Sequence, residues 1–392
     1  MSTLLPNPLA RINIPASIHI GGGALSVVGQ QARRLGLRRV LIVCDPFMVQ
    51  SGLASQPEKL LDLEGVSSTV FSGVTPDPTD ENVLFGLDHL RSEGCDGIVA
   101  IGGGSSIDAA KGISVMARNS GQLADYRGYD RIPNPGIPLI AIPTTAGTGS
   151  EMTKVTVITD TRTHVKLMLL DPHLLPTAAL VDYTLSLSMP KPLTAHVGVD
   201  TLTHGIEAFV SRRANRMTDV LSLSCVELVG KHLEEAWREP NSHTAREGMM
   251  LAAAQGGMAF SNSSVCLVHG MSRPLGAVFH LPHGLSNAVL LPAVTRFSTL
   301  TATDRYATIA RTLNWATQTD PDEIACERLI EGIEQFNRRL EIPRLRDCGI
   351  SSKALETALD KMAQDALASG SPQNNPRIPT ANEIKQLYCE AY

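Results

Sequence analysis

The sequence predicts two domains of different class: an α/β domain with a mainly parallel sheet over residues 1–188, then an all-helical domain over 189–392. Three observations predict this. Short β-branched runs alternate with helical patterns from about Ser17 to Leu185, several of those runs are apolar throughout, and strand signals stop after Pro190. Strands buried on both faces and separated by helices imply a parallel sheet joined by right-handed crossovers. The length, 392 residues, suits two or three domains at roughly 150 residues each.

In chain order the strand runs are Ser17–Ile20, Val40–Cys44, Ser68–Phe71, Gly97–Ile101, Leu139–Ile142, Lys154–Thr159, Lys166–Leu170 and Ala179–Val181. Helical patterns lie between several of them, at Leu25–Leu35, Glu81–Ser92 and Ile107–Arg118. Amphipathic stretches follow at Pro192–Ala208, Met217–Trp237, Ala245–Ser261, Ser264–Phe279, Thr303–Leu313, Pro321–Leu340, Ser352–Ala366 and Ala381–Ala391, which places the boundary near Leu187–Pro192. The segment Ala368–Pro379, rich in Ser, Pro, Asn and Gly, is expected to be a surface connection.

Composition excludes several classes. Hydrophobic residues at 43% and charged residues at 19% are the balance of a globular protein, not of a disordered or fibrous chain. With 34 basic against 39 acidic residues, the chain has no cationic excess for a phosphate backbone, and aromatics at 4% are too few for a base-stacking surface, so nucleic acid is not an expected partner. Apolar runs such as Ala288–Val294 are too short to span a bilayer. Met1–Arg11 lacks the apolar stretch of a secretory signal, and seven scattered cysteines without a CxxC pair read as reduced thiols, so the expected location is cytoplasmic.

Two strand-to-loop junctions carry nucleotide chemistry. The run Asp96–Ile101 leads into Gly102-Gly103-Gly104-Ser105-Ser106 and then a helix. Glycines let a pyrophosphate approach the backbone, the helix N-terminus favours an anion, and Ser105 or Ser106 is a candidate cap. A tight strand-to-helix turn gives the same pattern without a ligand. The second junction is Pro143-Thr-Thr-Ala-Gly-Thr-Gly-Ser150, where three threonine hydroxyls and two glycines form a polar cradle. Asp45, ending its strand, either starts a turn before Pro46 or accepts from ribose hydroxyls, a role that favours NAD over NADP.

A metal signal lies in the helical half. Asp200 and His204 are one helical turn apart, and His269, His280 and His283 follow within fifteen residues of one another. Three imidazoles and one carboxylate can fill four positions around a divalent cation. Asp200 and His204 alone would also suit an ordinary i,i+4 pair, and spacing does not choose between His280 and the other two histidines.

The chain resembles the iron-containing (group III) alcohol dehydrogenases over nearly its whole length. The resemblance rests on Gly102-Gly-Gly-Ser-Ser-Ile-Asp108, Pro143-Thr-Thr-Ala-Gly-Thr-Gly-Ser-Glu151, Lys166 with Asp171-Pro172, Gly198-Val-Asp-Thr-Leu-Thr-His-Gly-Ile-Glu207 and Pro274-Leu-Gly-Ala…Pro282-His-Gly284. It implies a dehydroquinate synthase-like architecture, a dinucleotide-binding α/β domain followed by a helical one with the active site in the cleft between them. It further implies Asp200, His204, His269 and His283 as metal ligands, with Fe(II) expected and Zn(II) an alternative. By the same carry-over Asp45, Asp77, Gly103, Gly104, Ser105, Thr144, Thr145, Thr148, Thr153 and Lys166 line the NAD site. Many members carry a histidine four residues after the third ligand, where this chain has Arg273. Arginine stays protonated and cannot be a neutral-pH base, but it can clamp a carboxylate, sulfonate or phosphonate; it can equally pair with a nearby acid or cap a helix.

The expected activity is reversible hydride transfer between NAD(H) and a small primary alcohol or aldehyde, with the metal as Lewis acid and His280 as a candidate proton carrier. Three alternatives stand beside it: an oxidoreductase for a small anionic aldehyde or hydroxy acid held by Arg273, a lyase using NAD and metal in the manner of dehydroquinate synthase, and a non-catalytic metal-binding protein. A homodimer is expected on general frequency alone.

Overall fold

The computed structural model describes residues 9–392 with the exception of residue 164, so the expectation for the first eight residues lies outside it. The chain forms two compact units, Asn13–Leu187 and Ser188–Tyr392, the latter also taking in the described residues before Asn13.

The first unit is built on β1 (Ser17–Ile20), α1 (Val28–Arg34), β2 (Arg39–Val43), α2 (Pro46–Gln50), α3 (Ser55–Leu63), β3 (Ser67–Phe71), α4 (Asp80–Ser92), β4 (Gly97–Gly102), α5 (Gly104–Met116), β5 (Gly128–Tyr129), β6 (Leu139–Pro143), β7 (Val155–Asp160), β8 (Val165–Leu170) and β9 (Ala178–Val181). Six strands form one sheet in the order β1-β9-β6-β4-β2-β3, parallel at every pairing. Alternate residues sort onto two cores. Leu41, Val43, Ile98, Ala100, Leu139 and Ala141 pack on one face with Ile107 and Ile113 of α5; Val40, Ile42, Val99, Ile101, Ile140 and Ile142 pack on the other with Val28, Ala32 and Leu61. This two-sided burial is why the strands read as unbroken apolar runs.

Sequence and structure differ at three places in this unit. The Lys154–Thr159 and Lys166–Leu170 runs are not members of the parallel sheet; β7 and β8 pair antiparallel in a separate three-stranded sheet with β5. The connection from Asp160 is too short for a crossover, which needs a dozen or more residues, and Asp160 Oδ1 closes it by accepting from the amides of Arg162 and Thr163. Helices α2 and α3 had no sequence counterpart: α2 is five residues long, and its cap is supplied by Asp45. Neither Ser105 nor Ser106 caps α5. The cap is Gly103, the two serines lie within the first turn, and Ser106 Oγ is buried without a hydrogen-bond partner among the described residues.

The second unit contains α6 (Lys191–Val210), α7 (Arg216–Arg238), α8 (His243–Asn262), α9 (Leu267–Phe279), α10 (His283–Thr299), α11 (Thr303–Thr312), α12 (Asp322–Arg339), α13 (Ser352–Ala368) and α14 (Ala381–Ala391). Helix α6 is buried along most of its length, and small residues let its neighbours close on it. A β-carbon at Gly198 would collide with Leu233 of α7, one at Gly205 would meet Val226 at 2.9 Å, and one at Gly284 of α10 would meet the His196 carbonyl at 2.7 Å.

Helix α10 was not anticipated as a helix. It is buried on nearly every side, its interior positions including Ser286, Asn287, Thr295 and Ser298, and it contains Pro292, so no 3.6-residue stripe marks it. The Ala368–Pro379 segment is not merely a surface connection. Asn375 is 1% exposed, donating to Ser298 Oγ and the Arg377 carbonyl, while buried Asn374 donates to Ser264 Oγ. Its polar side chains satisfy groups at the ends of α8 and α10, so a hydrophilic composition serves the interior here.

Candidate metal centre and nucleotide loops

Four residues of the second unit converge. Asp200 and His204 stack on one face of α6, both almost fully buried, with His204 Nε2 3.7 Å from Asp200 Oδ1. His269 enters from α9, its Nε2 3.5 Å from the same oxygen. His283 opens α10; donor atoms of Asp200, His269 and His283 all lie within 4.8 Å of one another. The His204 ring is sandwiched, 4.4 Å from the Phe260 ring on one side and 4.8 Å from the His269 ring on the other. Burial alone would raise the Asp200 carboxyl, but the imidazoles of His204, His283 and His269 outweigh it and hold the group well below the ordinary carboxylate range.

The donor set fits a divalent cation. Two donors on one tetrahedral ion, each about 2.1 Å from it, are about 3.4 Å apart, close to the 3.5 and 3.7 Å separations here. The decisive detail is Glu207, which sequence reasoning did not single out. Its carboxylate, 2% exposed, accepts from the amides of Cys266 (2.8 Å) and Val268 (2.6 Å) and sits 2.7 Å from His269 Nδ1. An acceptor-only carboxylate places the proton on Nδ1, leaving the Nε2 lone pair facing Asp200. Glu207 follows His204 by three residues and Asp200 by seven, so all three share a helix face; that spacing was the available signal. Replacing Glu207 with Gln is expected to lower metal affinity by about 10–100-fold, measured by equilibrium dialysis of the metal-free protein; unchanged affinity would contradict the positioning role.

His280 does not join this group. It ends α9 in a left-handed conformation (φ 55°), exposed. Arg273 lies one turn after His269 on α9, half-buried, with Nη1 donating to Ser371 Oγ at 2.9 Å.

The nucleotide signals lie in the first unit, at the carboxyl ends of β2, β4 and β6. In this strand order the chain runs from β2 outward to β3 and then returns to β4 on the other side of β2, so the β2/β4 ends form a topological switch point, where open α/β sheets bind ligands. Gly102 has φ +147° and would place a β-carbon 2.5 Å from Ser106 Oγ, so only glycine fits. Gly104 backs onto Thr148, a β-carbon there falling 2.9 Å from its methyl, and Gly103 faces Thr145. Thr144 N donates to the Gly102 carbonyl at 2.9 Å, tying the two loops together. Asp45 caps α2 through Oδ1, accepting from Phe47 N and Met48 N, while its Oδ2 points toward Gly102. The turn-forming reading of Asp45 therefore describes its Oδ1, and its other oxygen lies beside the glycine loop.

Three expected cofactor residues stand differently. Lys166 Nζ and Asp77 Oδ1 form an ion pair at 2.7 Å, Asp77 being largely exposed with φ 53°. Thr153 is 2% exposed, and its hydroxyl accepts from Lys111 Nζ at 2.9 Å. Lys111, which sequence reasoning passed over, is fully buried. Its ammonium also donates to Ser150 Oγ (3.0 Å) and the Val155 carbonyl (2.7 Å), while Ser150 donates to Asp108 Oδ1 at 2.6 Å. Burial lowers the Lys111 ammonium to about 8, against the pull of Asp108 and Glu151.

Glu151 is 1% exposed, and burial pushes its carboxyl up to about 7, its own backbone amide and Lys111 pulling the other way. A carboxyl raised on folding favours the native state fully below its ordinary value near 4.5 and loses that contribution as pH rises through about 7. Thermal stability should therefore decline across this window for the natural protein, and Glu151→Gln should flatten the decline. Parallel slopes in the two proteins would refute it.

An α/β unit with a polar cradle at its switch point, and a helical unit with a buried carboxylate–imidazole cluster, are the parts of an enzyme that uses a nucleotide and a metal. Comparison with known proteins makes the class specific. Residues 15–183 match the family model for iron-containing alcohol dehydrogenase, and residues 194–392 match that for the C-terminal region of the Fe-containing alcohol dehydrogenase family. The chain belongs to this family. It is 38% identical over 385 residues to alcohol dehydrogenase 4 of Schizosaccharomyces pombe, covering 98% of this chain and 89% of that one. It is 37% identical to the NAD-dependent methanol dehydrogenase of Bacillus methanolicus, covering 96% and 98%. The crystal structure of a 1,3-propanediol oxidoreductase superposes with a TM-score of 0.95 at 35% identity, covering 98% of this chain and all of that one. The chain is thus an alcohol/aldehyde oxidoreductase that uses NAD and a metal. No helix among the described residues is long and apolar enough to cross a membrane.

Proposed function

We propose that this enzyme interconverts a small primary alcohol and its aldehyde, with Asp200, His204, His269 and His283 holding Fe(II). The observation that carries the reading is the convergence of those donors around one carboxylate oxygen, with Glu207 fixing the His269 tautomer. When bound, the cation supplies Lewis acidity to a carbonyl or hydroxyl oxygen, and NAD exchanges the hydride. The chain's own work is positional. Gly102–Gly104 and the Thr144–Thr148 loop give the pyrophosphate close backbone approach, and the Asp45 carboxylate suits ribose hydroxyls and repels a 2′-phosphate. The named activity of the Bacillus methanolicus relative agrees with NAD and a small alcohol. His280, exposed at the end of α9, is the proposed carrier of the proton released to solvent.

A second reading concerns the substrate. Arg273 shares the helix face of His269 one turn on, and Ser371 orients its guanidinium, an arrangement suited to an anionic aldehyde or hydroxy acid. One panel tests both. Primary alcohols, neutral aldehydes and acidic aldehydes are assayed by NADH absorbance, with NAD and NADP, in Fe(II)- and Zn(II)-loaded protein. Turnover of neutral alcohols with NAD supports the main reading, and a loss in Arg273→Ala confined to anions supports the second. Failure of every alcohol and aldehyde with either cofactor would refute both.

A further inference from the structure

The Lys111 ammonium has three N–H bonds, and all three are engaged: Ser150 Oγ at 3.0 Å, Thr153 Oγ1 at 2.9 Å and the Val155 carbonyl at 2.7 Å. Two carboxyl groups face this one cation. Asp108 accepts from Ser150 Oγ at 2.6 Å and from Val157 N at 2.8 Å, with Lys111 Nζ 3.9 Å away. Glu151 has no such set of donors. It is 1% exposed, its own backbone amide is the donor that reaches it, and its Oε1 is buried without a hydrogen bond among the described residues. The turn that carries it, Ser150–Met152, packs on α5 and β6. Helix α5 brings Lys111 and Asp108 to it, and β6 brings no titratable side chain.

A sealed carboxylate that no ammonium proton reaches is costly, so the proton stays on Glu151, and burial keeps it there up to about pH 7. The same turn is tied to the nucleotide loops. Ser150 N donates to Thr148 Oγ1 at 3.3 Å, and the Thr148 methyl backs onto Gly104, the first residue of α5. Ionising Glu151 places a negative charge three residues from Thr148, in a loop pair suited to an anion. It also competes with Ser150 and Thr153 for the Lys111 ammonium.

We infer that Glu151 is a positioning residue of the nucleotide site that works as a neutral acid, so that NAD binds the protonated form and takes up a proton where Glu151 is otherwise ionised. This rests on the pyrophosphate lying at Gly102–Gly104 and Thr144–Thr148, as proposed above. The sign follows from linkage: affinity is full below the Glu151 transition near pH 7 and falls as pH rises through it. Lys111, lowered to about 8, loses its charge later.

Isothermal titration calorimetry tests this on the full chain, loaded with Zn(II) so that the histidines of the metal centre are ligated. NAD and ADP-ribose, which has the pyrophosphate without the nicotinamide, are titrated from about pH 5.5 to about 7.5, in two buffers of different ionisation enthalpy that count the protons taken up. Both ligands are expected to bind about threefold more weakly at the upper end, with proton uptake near pH 7, while Glu151→Gln holds its affinity level and takes up no proton. A natural protein whose affinity is level over this range, or whose binding takes up no proton, overturns the inference whatever the variant does. So does a Glu151→Gln protein that keeps the natural pH dependence, which assigns the proton to another group. Gly104→Val is the control: NAD held at natural affinity in that variant removes the pyrophosphate from these loops, and overturns the reading on which the inference rests.

Discussion

Asp200→Ala should leave a folded protein that no longer holds its metal at micromolar concentrations and has lost at least about a thousandfold in kcat/KM. Asp200 Oδ1 is the atom to which His204 Nε2, His269 Nε2 and Asn287 Nδ2 all point, at 3.7, 3.5 and 2.6 Å. Removing it takes away the one anionic donor of the cluster, so the loss in affinity should exceed the roughly 10–100-fold typical of an outer partner such as Glu207. A Lewis acid contributes several kcal/mol to the transition state, and about 1.4 kcal/mol is tenfold in rate, which sets the expected scale. Metal analysis and steady-state kinetics on the same preparation check it. The opposite pattern, full metal content with lost activity, would mean that Asp200 acts on substrate and not on the ion.

Lys111→Met is the second large effect, and it falls on stability. The ammonium is completely enclosed, hydrogen-bonded to Ser150, Thr153 and the Val155 carbonyl, and it faces the carboxylates of Asp108 and Glu151. A methionine of similar length fills the space but leaves those acceptors and carboxylates without their cation. Breaking one side of a buried ionic network costs about 3–5 kcal/mol, or roughly 10 °C in Tm for a unit of this size. The same bonds hold the segment from Ser150 to Val155 against α5, so NAD affinity should fall with stability. Adding Asp108→Asn should restore part of the loss, since the stranded carboxylate is then removed. A Tm within a degree of the natural protein would show that the network contributes nothing net.

The legible and illegible parts of this chain follow one physical rule. Strands β2, β4 and β6 announce themselves because both of their faces are buried, so every position but Arg39 is apolar. The α6 ligand pair is visible because a helix places Asp200 and His204 together whatever surrounds it. What escapes is whatever depends on tertiary context. Helix α10 is buried on nearly every side, with polar and apolar residues alike inside, so its period is hidden, and with it the relation of His283 to Asn287. Lys111 sits one turn from Asp108 in a plainly visible motif, but lysine is almost always at the surface, and only the fold reveals this one sealed inside. Glu207 was within the quoted motif as well. Its meaning required knowing that α9 begins against it, with Cys266, Val268 and His269 all donating to one carboxylate.

The most direct test is X-ray absorption at the metal edge of the anaerobically iron-loaded protein. The account predicts nitrogen and oxygen donors at about 2.0–2.2 Å, with the outer-shell scattering of three imidazole rings that disappears in part for His269→Ala. A sulfur shell at about 2.3 Å, or a first shell without imidazole scattering, would contradict it.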